Sequence, residues 1–167
     1  DANSILDMLQ QKYVSPFAYW NGQPFFFLIV ERVDDADLMD YIAKTYNFNV
    51  NLKEKISGEP AIVLAMQHNH EETFKSLLKI KNLGPNLLGS PSGWGVLHHS
   101  IVLAARDPHK YLKYFEILVN DARVNVNLPT KDKRTPLDII NESKKAEPQN
   151  LQVIEKMELM LKKKGAK

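Results

Sequence analysis

Asp132-Lys133-Arg134-Thr135-Pro136-Leu137-Asp138-Ile139-Ile140 reads as a turn that opens a helix. Thr135 is a residue type that caps helix N-termini, and Pro136 in the first turn gives up no hydrogen bond there. Leu137 and the isoleucines are then candidates for the buried side. Working back along the chain, the same order of turn and apolar run occurs three more times. It is Ser92-Gly93-Trp94-Gly95-Val96-Leu97-His98-His99-Ser100, Ser57-Gly58-Glu59-Pro60-Ala61-Ile62-Val63-Leu64-Ala65 and Asn21-Gly22-Gln23-Pro24-Phe25-Phe26-Phe27-Leu28. The spacings are 36, 35 and 40 residues from first to last. Three of the four copies carry glycine at one place, as a turn with a backbone conformation other residues dislike would require.

A second helical pattern follows each copy, with apolar residues at i, i+3 and i+4 marking one buried face. It is Leu38-Met39-Asp40-Tyr41-Ile42, then Phe74-Lys75-Ser76-Leu77-Leu78, Tyr114-Phe115-Glu116-Ile117-Leu118-Val119, and a last one from Val153 to Leu161. Loops containing asparagine come next, at Asn49-Val50-Asn51, Gly84-Pro85-Asn86 and Asn125-Val126-Asn127. Turn, helix, helix and extended loop therefore recur. One helix pair cannot bury its apolar side alone, so such units are expected to stack.

The pattern resembles the ankyrin repeat, in which a β-turn and two antiparallel helices open on Thr-Pro-Leu-His. Thr135-Pro136-Leu137-Asp138 matches three of those four residues, and Gly95-Val96-Leu97-His98 keeps the Leu and His. Pro24 and Pro60 stand at the Thr place, Asn69-His70 where Gly-His is frequent, and Lys164-Gly165-Ala166 at the closing Gly-Ala. The resemblance implies an all-α solenoid of stacked helix-turn-helix units with β-turn fingers. As one domain over 1–167 it would divide into a capping helix in 1–19 and repeats of about 20–54, 55–89, 90–129 and 130–167. The helix from Asn3 to Tyr13 would be capped by Ser4 and bury Ile5, Leu6, Met8 and Leu9. Two segments lengthen their repeats and are expected as surface loops between helices: Leu103 to Lys110, broken at Pro108, and Ser143 to Gln149, broken at Pro148.

Composition sets outer limits. Apolar residues are 44% of the 167 and charged residues 25%, with a net charge of +2. These are values of a folded globular chain and not of a strongly basic nucleic-acid binder. The longest apolar run, Pro24 to Val30, is too short to cross a bilayer. There is no cysteine, which excludes a disulfide scaffold, a thiolate metal site and a cysteine nucleophile. With no cysteine and no initiator Met ahead of Asp1, export to an oxidising or periplasmic space is slightly favoured over the cytoplasm. Charge is polarised: residues 1–50 carry three basic and seven acidic groups, residues 131–167 ten basic and six acidic.

Chemistry-bearing constellations are sparse. There is no nucleophile elbow, no phosphate-cradling glycine loop and no His-Glu-x-x-His. His98 and His99 are adjacent, so on a helix they diverge by about 100° and ligate one metal poorly. A small metal-dependent enzyme built on His98, His99 and Asp138 is the competing reading. His68 and His70 read as solvated turn residues, and Asp34, Asp35, Asp37 and Asp40 as turn and cap residues. A third reading gives the basic C-terminal end, with Lys162, Lys163, Lys164 and Lys167, to nucleic acid.

The favoured function is protein binding by a module that is monomeric when free, with no catalytic residue, metal or cofactor. Gln23, Glu59, Trp94 and Arg134 are equivalent in the repeat register, as are Trp20, Ile56, Pro91 and Lys131 three residues earlier. The resemblance makes these finger positions, which face a concave groove and vary with the partner. Groove positions after the first apolar run include Arg32, His68, Val102 and Leu103. The expected partner surface is thus Trp20, Gln23, Arg32, Glu59, His68, Trp94, Val102, Leu103 and Arg134, with Trp94 as its central anchor, because Trp and Arg dominate interface hot spots. Inhibition or protection of a partner enzyme is the expected role of a free-standing module. The first outcome to check is a helix-dominated far-ultraviolet circular dichroism spectrum; substantial strand content would defeat the helical reading.

Overall fold

The computed structural model describes all 167 residues. The architecture is all-α, with nine α-helices and one hairpin, β1 (Tyr19–Trp20) paired antiparallel to β2 (Gln23–Pro24). No helix is long and apolar enough to cross a membrane. The chain forms two compact units, Asp1–Gly84 and Pro85–Lys167.

The first unit holds α1 (Ala2–Gln10), α2 (Phe25–Arg32), α3 (Ala36–Thr45), α4 (Ala61–Gln67) and α5 (Glu71–Lys79). Helix α1 packs on α3, α2 on α4, and α5 on both α3 and α4. The cap of α1 is Asp1, whose carboxylate accepts the Ser4 N–H at 2.8 Å, and not Ser4 as expected; the helix ends three residues before Tyr13. Leu9 is its one fully buried residue, while Met8 faces solvent. The phenylalanine run divides by helical period: Phe26, Phe27, Ile29 and Val30 go to the core, and Phe25 and Leu28 stay half-buried on the other face. At the α2–α3 tip, Asp35 caps α3 by accepting from Leu38 N–H, and Asp34 accepts the Thr73 N–H at 2.9 Å. Thr73 returns its hydroxyl to Val33 O, and His70 Nδ1 lies 2.8 Å from Val30 O. Two helix ends are thereby tied to the start of α5.

The second unit holds α6 (Val96–Arg106), α7 (Pro108–Asn120), α8 (Pro136–Ala146), a 3₁₀ turn (Pro148–Asn150) and α9 (Leu151–Lys163). Helix α6 packs on α7, α8 and α9, and α9 also meets α7 and α8. The core includes Ile101, Tyr114, Phe115, Leu118, Ile140, Ile154 and Met157, all sealed from solvent. Burying a Leu-, Ile- or Phe-sized side chain contributes about 1.5–3 kcal/mol. Here the expected loop at Leu103–Lys110 is absent. Its residues extend the helices instead, and only Asp107 lies between α6 and α7. Asp107 ends one helix and starts the next: its side chain accepts from Lys110 N–H, and Pro108 fills the first-turn site that needs no donor. The segment at Ser143–Gln149 likewise continues α8 to Ala146 and then turns tightly through Pro148. In the α8 turn, Thr135 caps as expected and Asp138 completes a capping box, but Leu137 is only half-buried and Ile140 takes the core place.

One side-chain link occurs three times. Asn51 Oδ1 accepts from Gly84 N–H at 2.7 Å while its Nδ2 donates to Asn82 O at 2.9 Å. Asn86 does the same with Asn125 N–H and Arg123 O, and Asn127 with Lys167 N–H and Gly165 O. Each asparagine satisfies a donor and an acceptor of the segment that follows a later helix, α5, α7 and α9 in turn. Helix α9 closes with Ala166 N–H on Leu161 O and Gly165 N–H on Lys162 O, Gly165 taking φ +94°.

The glycines of the recurring turn, Gly22, Gly58 and Gly93, have φ of +81°, +70° and +69°, and Lys133 takes +71° at the fourth copy. A Cβ at Gly93 would meet Lys131 Cβ at 2.5 Å, which real Cβ atoms do not tolerate. Gly93→Ala should therefore destabilise by about 1–3 kcal/mol, whereas Lys133→Gly should be neutral or stabilising by up to about 1 kcal/mol. Urea denaturation of both variants checks the pair. Equal losses would mean the turn conformation is not the constraint. Ile140→Ala should cost about 2–5 kcal/mol and Leu137→Ala distinctly less.

Candidate functional site

Two clefts, one in each unit, gather some of the residues expected to bind a partner. The first is built on the Tyr19–Pro24 hairpin. Asn21 and Gly22 both have positive φ, the two-residue turn whose twist matches a hairpin. So short a hairpin has no second layer to cover it, and it holds Tyr19 76% and Trp20 65% exposed. Gln23 accepts the Lys55 N–H through Oε1 at 3.2 Å, linking this finger to the next. Together Trp20, Gln23, Phe25, Leu28, Lys55 and Ile56 line a cleft of about 170 Å³. Ile56 is 87% exposed at the tip of the second finger. Neither Ile56, Phe25 nor Leu28 was among the expected site residues. The signal for Ile56 was its register equivalence to Trp20.

The second finger runs from Lys53 to Pro60, which are bridged. Its two carboxylates turn inward. Glu54 accepts from Ile56 N–H at 2.9 Å and Ser57 N–H at 2.6 Å. Burial opposes its charge, yet those donors hold its carboxyl below the usual range. Glu59 is 4% exposed. It was expected as a partner contact, and the structure places it inside the finger instead. Arg32 and His68 are exposed, but each lies at the C-terminal end of its helix, away from the finger cleft.

The second cleft, about 190 Å³, is walled by Trp94, Val102, Arg106, Ile139, Glu142 and Glu147 among others. Trp94 is half-buried, with the Arg134 guanidinium 5.1 Å from its ring centre and the His99 ring at 5.5 Å. Ion pairs at 2.8 Å to Asp132 and 2.9 Å to Glu142 fix Arg134 over the indole. The structure thus brings together Trp94, Val102 and Arg134. Leu103 is half-buried and is not in that wall. A stacked guanidinium takes up much of what a partner would use on Trp94.

His98 is fully buried in α6, where Nδ1 accepts the Gly95 N–H at 2.9 Å and Nε2 lies 2.7 Å from Leu128 O. The first bond fixes the proton on Nε2, so the ring is neutral and both nitrogens are occupied. Asp138 plays the first half of that part in α8, accepting Thr135 N–H at 2.8 Å through Oδ2. No group of three or more His, Asp or Glu is arranged to hold a metal ion. Of the C-terminal lysines, Lys162 pairs with Glu158, which also pairs with Lys144, and Lys163, Lys164 and Lys167 are exposed.

Burial pushes the His98 imidazole below its ordinary value, against the pull of the Leu128 carbonyl. The unfolded chain takes up that proton below about pH 6.5 while the folded chain resists it. Stability present above that pH should therefore fall as pH drops below about 6.5. The slope should shrink in His98→Gln, as denaturation midpoints at successive pH values would show. An unchanged slope would mean that His98 does not carry it. The chain matches no protein-family model and no curated protein.

Proposed function

We propose that this chain is a protein-binding module of the ankyrin-repeat type, which holds its partner by the finger tips and the adjoining first-helix face. The repeat reading is supported by the three asparagine links, by the turn conformation shared by Gly22, Gly58, Gly93 and Lys133, and by the matching parts of His98 and Asp138. The binding reading is carried by one observation above the rest. Tyr19, Trp20 and Ile56 stand out from short fingers over a cleft, although nothing in local folding needs them exposed. Large aromatic and aliphatic side chains held in solvent beside a recess are what an interface uses as anchors. Trp20 with Ile56 is the better anchor than Trp94, because Arg134 already covers the Trp94 ring. The module acts by occupying its partner, as an inhibitor or protective binder, without bond chemistry. A His98–His99 metal site lacks its first ligand, since both His98 nitrogens are bonded.

The test begins with capture of partners on the immobilised protein from an extract of its source, followed by titration calorimetry with the partner identified. Trp20→Ala and Ile56→Ala should each weaken binding by about 2–4 kcal/mol, or about 30- to 1000-fold. Lys163→Ala should change it little. Both anchor residues are solvent-exposed, so their truncation leaves the core intact. Equal small effects from all three would place the interface elsewhere.

A further inference from the structure

The sequence of the second finger, Lys53-Glu54-Lys55-Ile56-Ser57-Gly58-Glu59, is balanced in charge, but its surface is not. Glu54 and Glu59 are buried, whereas Lys53 and Lys55 are exposed. Neither lysine forms an ion pair. Lys55 lies across the first finger: a Cβ built on Gly22 would come 2.8 Å from its Nζ. An ammonium is thus held at the lip of the cleft that Trp20, Phe25, Leu28 and Ile56 line. No carboxylate lines that cleft. Residues 1–50 as a whole carry four more acidic than basic groups, yet Asp34, Asp35, Asp37 and Asp40 lie beyond the far end of α2, and Glu31 on its last turn has Arg32 next to it. Phe25 to Arg32 alone spans about 10 Å along the helix, more than the ~8 Å over which exposed charges are felt at physiological salt. At its Phe25 end the cleft therefore has a local sign opposite to the net sign of residues 1–50. Arg32, among those aspartates, is no part of the cation rim.

We propose that this cleft takes an acidic segment of the partner protein that carries one large apolar side chain. The apolar group sits against Trp20, Phe25, Leu28 and Ile56, and flanking carboxylates meet Lys55 and Lys53. This rests on the docking reading above and names the chemistry of its partner. The apolar walls favour a peptide over a nucleic acid: of the cleft's large side chains Leu28 and Ile56 are aliphatic and offer bases nothing to stack on, and two lysines make a short phosphate track.

A short-peptide phage library selected on the immobilised full chain, with counter-selection on Trp20→Ala/Ile56→Ala protein, tests it. Enriched peptides should pair Asp or Glu with Leu, Phe or Trp. Their affinity should fall about tenfold or more on Lys53→Glu/Lys55→Glu protein and weaken steeply with added salt. Quenching or shift of Trp20 emission in a Trp94→Phe background should accompany binding. Neutral or basic enriched peptides, no enrichment, or indifference to the lysine reversals would overturn the inference. So would oligothymidylate binding at this cleft that displaces the peptides. If the captured partner depends on Trp20 and Ile56 but not on the two lysines, the docking reading stands and the acidic-segment inference falls. If it depends on none of the four, both fall.

Discussion

No helix in this chain is longer than 13 residues, and isolated helices of fewer than about 12–15 residues are marginal in water. Everything else in the architecture answers that constraint. Each helix must be packed on a neighbour and must have its end groups satisfied by something outside itself. The core supplies the first need, with Phe27, Phe74, Tyr114 and Phe115 fully enclosed. Side chains at fixed places supply the second. Asp1, Asp35, Asp107 and Thr135 cap helix starts, and His70, Thr73 and Asn150 reach the carbonyls of helix ends or the turns just beyond them.

The extended loops follow the same rule. A loop backbone removed from water without partners is costly, so it must find donors and acceptors elsewhere. An asparagine side chain offers one of each, and Asn51, Asn86 and Asn127 use both on a single neighbouring loop. At the opposite end of the helices, the fingers are joined by Gln23 to Lys55 N–H and by Lys131 N–H to Gly93 O. The latter contact leaves no room for a side chain at residue 93. Structural residues thus occupy the inside of each finger, and what remains outside is free to be chosen for another purpose. In the first two fingers the large side chains of that remainder are Tyr19, Trp20, Lys53, Lys55 and Ile56.

The second finger cleft differs in how it is held. Arg134 is fixed by two carboxylates and lies on Trp94, so the most conspicuous pair of interface-type residues in the chain is spent partly on each other. An aromatic and a cation that are equivalent by register can pair when their fingers are neighbours. The first pair of fingers has no such partner for Trp20, and its aromatic stays in water.

Local rules, which need only residue order, made much of this legible. Gly22, Gly58 and Gly93 marked left-handed turns, Thr135-Pro136 marked a helix start, and Gly165 marked a helix end, because each demand is met within a few residues of chain. Helical period accounts for the split of Phe25 and Leu28 from Phe26, Phe27, Ile29 and Val30 once the core side is known, but a run that is apolar all round does not name that side. Nor was the period enough to tell Leu137 from Ile140, since the direction of the core depends on what packs above the helix. At Pro108 and Pro148 the expected loops give way to helix and a tight turn for a related reason. A proline that stops one helix also starts the next, and only packed helices show whether any loop remains between. The site was least legible. Gln23, Glu59, Trp94 and Arg134 hold one register position, yet Gln23 ties two fingers, Glu59 is buried, and Trp94 and Arg134 stack. Sequence determined where the fingers are; tertiary structure decided which of their side chains reach solvent, because exposure is fixed by contacts between segments some 30 to 40 residues apart.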